Sequence, residues 1–243
     1  MIDTVLFDLD GTLLRFTQKA FIDAYFGKLE KVFAKMGLDC ALSVKSVWAG
    51  TKAMVLNDGS MLNKERFWRA FSAMMGLDKQ QEKAVEAACD SFYSNEFNSV
   101  SHIVDHSGVS ARLVRGMVKK GYSLVLATNP MFPECAVSSR LGWIGLDPSE
   151  FILVTHYANS SYCKPNPGYY SEIFAKIGKK PQQCIMVGNS PTEDMAAQSL
   201  GAAVFLVTDY IEGDCFGETA CFPQGTLADL EKTLMSMPDI CPL

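Results

Sequence analysis

Asp8 and Asp10 stand in the stretch VLFDLDGTLL, behind a three-residue apolar run and just ahead of Gly11. An apolar run that short reads as a buried strand, so both acids sit where a strand leaves the core and opens into a loop. Other polar residues occupy equivalent places. Thr128 and Asn129 follow the apolar run in SLVLATN, Lys164 lies in the loop after FILVT, and Asn189, Ser190 and Asp194 follow CIMVG. In open parallel sheets ligands bind outside the carboxyl ends of the strands, which brings these side chains to a single mouth. A hydroxyl, an ammonium and several carboxylates gathered there can hold a divalent cation together with a phosphate. Hard oxygen ligands take Mg²⁺, which keeps several waters and bridges to substrate phosphate. Lys164 and the Thr128 hydroxyl supply positive charge and a donor for the remaining oxygens.

Each of these residues also has a plain structural explanation. An acid pair at a strand end serves as a turn and cap device, Thr128 as a helix cap, Lys164 as a solvated surface residue, and Ser190 with Glu193 as a capping box. None of these explains why all of them occupy one mouth.

The elements that must position the residues follow from periodicity. From about Ser110 onward, short apolar runs ending at Thr128, Thr155, Gly188 and Val207 alternate with helical patterns. The runs show little polar alternation, as expected when both sheet faces are covered. Ser110 is expected to cap a helix that stops near Gly121, and Asn166 with Pro167 to open one that stops at Gly178. Ser190, Pro191 and Glu193 form a capping box with proline at the first helical position. The pattern is α/β, a doubly wound, Rossmann-like parallel sheet. Residues 16–104 differ: four segments carry apolar residues at helical spacing and no strand, so they are expected to form an all-helical cap inserted into a core made of residues 1–15 plus 105–243. The chain would cross between the two parts only near residues 15 and 105, which permits a hinge.

Composition narrows the function classes. A chain of 243 residues, 48% hydrophobic and 20% charged, buries a substantial core, and its net charge of −5 argues against a nucleic-acid binder. A small soluble partner is expected. No apolar run approaches the roughly 20 residues of a membrane span, and Met1 to Asp8 lacks a basic start and a long apolar stretch, so the expected location is cytoplasmic with no membrane partner. The eight cysteines, Cys40, Cys89, Cys135, Cys163, Cys184, Cys215, Cys221 and Cys241, form no CxxC pair and read as reduced thiols. His102 and His106 have a ligand-like spacing but lie in a loop entering a helix, and His156 is peripheral.

The segments DLDGT, ATN, KPNP and VGNSPTED, in that order on successive strand ends, resemble the four motifs of the haloacid dehalogenase superfamily. The helical insert resembles the cap of its phosphoglycolate-phosphatase-like and β-phosphoglucomutase-like members. The resemblance implies a Mg²⁺-dependent phosphatase acting on a small phosphate monoester. Asp8 would be the nucleophile that forms an aspartyl-phosphate, and Asp10 the general acid and base. Gly11, Thr128, Asn129 and Lys164 would bind phosphate, Gly11 by letting the backbone turn beside it. Asp8, Asp10, Asn189 and Asp194 would hold the metal. Asn189 stands where the family usually has aspartate. Dehalogenase members lack the acid at the position of Asp10, so its presence favours phosphoryl chemistry. Lys52, near Trp48 and Asn57, lies where capped relatives place substrate-selecting residues, with Trp48 expected to pack. A phosphomutase shares every one of these core residues; a non-catalytic phosphate-binding relative draws support from Asn189 alone. A phosphoacceptor signalling domain would need no such insert.

Overall fold

The computed structural model describes residues 1–213 and 221–240. Cys215 and Cys241 lie outside them. The chain opens with strand β1 (Thr4–Phe7) and then builds four helices, α1 (Gln18–Lys35), α2 (Cys40–Val55), α3 (Asn63–Met75) and α4 (Lys79–Ser94), followed by a 3₁₀ segment at Glu96–Ile103. It returns through α5 (Val109–Lys119), β2 (Ser123–Leu126), α6 (Glu134–Trp143), β3 (Leu153–Val154) and α7 (Pro167–Ile177). It closes with β4 (Cys184–Gly188), β5 (Ala203–Val207), β6 (Gln224–Gly225) and α8 (Leu227–Ser236). All strand pairs are parallel, in the order β3-β2-β1-β4-β5-β6. This is the doubly wound sheet expected, with β1 and β4 central and the order reversing between them.

Most expected punctuation is in place. Asn166 caps α7 by accepting from the Gly168 N–H at 2.8 Å, and Gly178 ends that helix with φ of 66°. Three elements differ. Ser110 does not cap α5, whose N-cap is Gly108; the Ser110 hydroxyl donates instead to the carbonyl of Leu13 at 2.7 Å. β3 is only two residues long, shorter than the apolar run FILVT that announced it. β6, a two-residue edge strand, had no apolar run to announce it.

Apolar side chains alternate across β1: Val5 and Phe7 enter one core with α5, α6 and α8, while Leu6 enters the other with α7. The helical insert joins the first of these cores. Phe21, Tyr25, Leu29 and Phe33 recur every four residues along α1 and are buried. Phe21 and Tyr25 pack edge-on against Phe132, ahead of α6, with centroids 6.1 and 5.9 Å away. Cys89, Cys163 and Cys184 are buried free thiols, as expected of small apolar residues. Among the described residues no helix is long and apolar enough to cross a membrane.

Insert and sheet meet at a polar latch. Asn63, at the start of α3, is fully buried; its amide donates to the carbonyls of Pro130 (3.3 Å) and Tyr162 (3.2 Å), and its backbone N–H to Ser160 (2.8 Å). At the two crossings, Arg15 pairs with Asp105 and, at 3.0 Å, with Asp209. Asn63→Ala leaves two buried carbonyls without this donor, and a buried polar group left without its partner costs about 1–3 kcal/mol. The melting temperature should fall accordingly. An unchanged melting temperature would show that the latch contributes nothing.

Candidate active site

The loops after β1, β2, β3 and β4 meet at the reversal of strand order. Asp8 leaves β1 tied to β4, its N–H donating to the Val187 carbonyl at 2.8 Å. Lys164 reaches under it: the Nζ donates to Asp8 Oδ1 at 2.7 Å and to Asp194 Oδ1 at 2.6 Å, and all three residues are buried. Burial alone would lower the lysine pKa, but Asp194 and Asp8 outweigh it and hold the ammonium well above its usual range. Burial likewise pushes the Asp194 carboxyl up, against the lowering effect of Lys164. Asp194 Oδ2 accepts from the Ser190 N–H at 2.9 Å. That fold of the loop requires Gly188, where a Cβ would fall 2.1 Å from the Asp194 carboxyl.

Asn129 links the other loops. Its carbonyl oxygen accepts from the Lys164 N–H at 3.3 Å, and its amide donates to Glu193 at 3.0 Å. The capping box is therefore half formed. Ser190 Oγ accepts from the Glu193 N–H at 3.1 Å, while the Glu193 carboxylate turns to Asn129 and the chain continues as a 3₁₀ segment, Met195–Leu200. Thr128 lines the same cavity, its backbone carbonyl accepting from the Tyr169 hydroxyl at 2.9 Å.

Asn189, expected from the sequence as a metal ligand, lines the same cavity, and its side-chain amide is hydrogen-bonded at both ends. Its amide Nδ2 donates to the Tyr210 carbonyl at 2.5 Å, and its Oδ1 accepts from the Thr12 hydroxyl at 3.3 Å. Both ends of the amide are used to hold the loop after β5 against the β1 loop. An aspartate in this pose would set a carboxylate oxygen against a carbonyl oxygen, which explains the amide. Gly11, with φ of 79°, gives the close approach: a Cβ there would lie 2.1 Å from Asn189 Nδ2.

Sequence reasoning missed Arg140. This fully buried α6 residue donates from Nη1 to Asp10 Oδ2 at 2.5 Å, with its guanidinium 4.4 Å from the Phe132 ring centroid. Burial raises the Asp10 pKa, opposed by Arg140 and reinforced by Asp8. Asp10 Oδ1 and Arg140 Nη2 are buried without a hydrogen-bond partner among the described residues. The signal was a lone cation four residues from Ala136, on the apolar face of an otherwise unremarkable helix. Glu212 was also missed. It lines the cavity, and burial together with Asp8, Glu193, Asp10 and Asp194 pushes its carboxyl up to about 7.

The acids open into a cavity of about 260 Å³ that runs from Asp8, Asp10, Thr128 and Asp194 into the helical insert. Lys52 is exposed on α2 and outside its wall, whereas Trp48 and Thr51 line it; Trp48 also stacks on Phe26 with centroids 5.3 Å apart. His102 and His106 are bound to backbone carbonyls, and His156 lies 3.9 Å from Glu134. No group of three or more His, Cys, Asp and Glu among the described residues makes a ready metal cage. Mg²⁺ does not demand one, since it is typically held by one or two carboxylates, water and substrate phosphate. Asp8 and Asp194, hard oxygen donors sharing one ammonium, fit that requirement.

The family model for haloacid dehalogenase-like hydrolases matches residues 2–201. The chain belongs to that family. Among curated relatives it is 28% identical over 210 residues to a phosphoglycolate phosphatase of Aliivibrio fischeri, covering 85% of this chain and 84% of the relative. A haloacid dehalogenase-like phosphatase from Thermococcus onnurineus has a similar structure, with a TM-score of 0.61 at 20% identity over 98% of this chain and 100% of the other. The L-2-haloacid dehalogenase of Xanthobacter autotrophicus is also similar, with a TM-score of 0.56 at 15% identity over 98% and 100% of the two chains. Fold alone thus does not select the reaction; the residues at the strand ends must.

The Asn189 amide makes a sharp prediction. Asn189→Asp should destabilise the protein by about 1–3 kcal/mol, the cost of replacing a buried hydrogen bond by opposed acceptors. Chemical denaturation of the purified variant measures this, and stability equal to the wild type would mean that the Tyr210 loop is held by something else.

Proposed function

We propose that the chain is a Mg²⁺-dependent phosphatase that hydrolyses a small phosphate monoester through an aspartyl-phosphate on Asp8. The observation that carries the reading is the buried Asp8–Lys164–Asp194 cluster with Asp10 two residues on, at the mouth of a cavity large enough for a small organic ester. The naming of curated relatives as phosphoglycolate phosphatases supports the reaction class.

The geometry supports the following roles. Lys164 engages one Asp8 oxygen and leaves the other to attack phosphorus, forming an O–P bond as the bond to the leaving alcohol breaks. Asp10 gives the departing oxygen its proton, for which burial suits it by raising its pKa. Water then attacks phosphorus, returns a proton to Asp10 and frees Asp8 and phosphate. Arg140 orients Asp10 between these steps and favours its ionised form, the state needed to accept the proton from water. Thr128 and the Asn129 backbone amide hold phosphate oxygens, and Gly11 keeps the turn beside them clear. Mg²⁺, held by Asp8 and Asp194 with water, would offset charge on the transferring group. Residues 16–104 act as a cap over the core of residues 1–15 plus 105–243, docked through Asn63, and exclude bulk water from the reacting atoms.

Phosphate release from a panel of monoesters in Mg²⁺ tests this. Asp8→Asn should abolish turnover, because an amide is no nucleophile. Asp10→Asn should slow it by about 10²- to 10⁴-fold, the range of general acid-base catalysis. Near wild-type turnover by Asp8→Asn rules out the covalent route.

A further inference from the structure

The cavity does not suit a second anion. Among the described residues no lysine or arginine lines it, and its charged side chains are all carboxylates: Asp8, Asp10, Asp90, Glu193, Asp194 and Glu212. Two buried cations stand outside that wall: Lys164 lies behind Asp8 and Asp194, and Arg140 is held on Asp10 through Nη1 and against the Phe132 ring, its Nη2 buried without a partner among the described residues. The insert's own cations are turned elsewhere: Lys52 is exposed, Lys64 pairs with Glu86, and Arg66 pairs with Asp58. A carboxylate or second phosphate on the substrate would be desolvated there with no lysine or arginine in the described wall to pair with, which is unfavourable.

The wall away from the acids is aromatic. Phe26 and Trp48 stack at 21° with centroids 5.3 Å apart, Phe67 and Phe71 stack at 18° and 5.9 Å, and Trp68 stands edge-on to both of the latter. Among the polar groups of these helices, Tyr25 pairs with Tyr93 at 2.5 Å and the Thr51 hydroxyl donates to the Val47 carbonyl at 3.0 Å, while the buried Trp68 Nε1 has no partner among the described residues. Rings still make up most of this end of the wall, so shape is recognised there more than a set of hydroxyls. A cavity of roughly 150 Å³ lined by apolar side chains takes benzene, so about 260 Å³ accommodates one ring, a short tether and part of the phosphate.

Resting on the phosphatase reading for the reaction, we propose that the substrate is the phosphate monoester of an arylalkyl alcohol, carrying no anion besides the phosphate, with its ring held among Phe26, Trp48, Phe67 and Trp68. This departs from the two-anion compound in the relatives' name. The acid end of the cavity then handles charge, and the cap end recognises shape.

The test compares 2-phenylethyl phosphate with 2-phosphoglycolate in turnover, and 2-phenylethylphosphonate with phosphonoacetate in calorimetric binding, all with the full chain and Mg²⁺. The arylalkyl member of each pair should be favoured by at least about tenfold, in kcat/KM and in affinity. Trp48→Ala, at a half-exposed position, should lower the arylalkyl preference about five- to tenfold, the worth of one aromatic contact. Preference for phosphoglycolate and phosphonoacetate overturns the proposal, as does a Trp48→Ala variant with an unaltered preference. Absence of phosphate release from every ester, with the binding order intact, would refute the phosphatase reading and leave the substrate pocket as assigned.

Discussion

The site depends on one buried ammonium. Lys164 sits between Asp8 and Asp194, taking one oxygen from each, and without it two carboxylates would face each other in a region closed to water. Removing one partner from such a cluster typically costs about 3–5 kcal/mol, because the remaining charges lose their compensation. The loops after β1, β3 and β4 are therefore held together by one contact, that of Lys164 with Asp8 and Asp194.

Around that cluster, close approach replaces bulk. Gly188 admits the Asp194 carboxyl and Gly11 admits the Asn189 amide, each in a space where a Cβ would lie about 2.1 Å from its neighbour. Asn189 then carries the loop at Tyr210 against the β1 turn, which brings Glu212 to the mouth. The asparagine thus has a local role: its side chain donates to the Tyr210 carbonyl as well as accepting from Thr12. Such a role is invisible from the motif VGNSPTED, where asparagine reads only as a weaker acid substitute.

Charge and shape are divided between the two parts of the molecule. The sheet supplies acids, the ammonium and the oxygen-binding turns; the insert supplies rings. Burying Arg140 on Asp10 belongs to the first part, since it holds the second acid in a pairing separate from the one around Lys164.

What the sequence determined by itself was local. The four-strand rhythm, the helical insert, the Asn166 cap and the Gly178 stop were legible because apolar runs, caps and glycine stops act over a few residues. Asp8, Thr128, Lys164 and Asp194 were legible as a group because parallel sheets place all strand ends on one edge. Tertiary structure alone decided how they pair. Arg140 meets Asp10 across 130 positions of sequence, and Asn189 meets Thr12 across 177. Ser110, with the right side chain for a cap, was captured by the Leu13 carbonyl instead. Lys52 is exposed, while Trp48, four residues before it on α2, lines the cavity. Propensity and spacing encode what a residue can do; which partner it finds depends on packing between elements far apart in the chain, where no local pattern records the outcome.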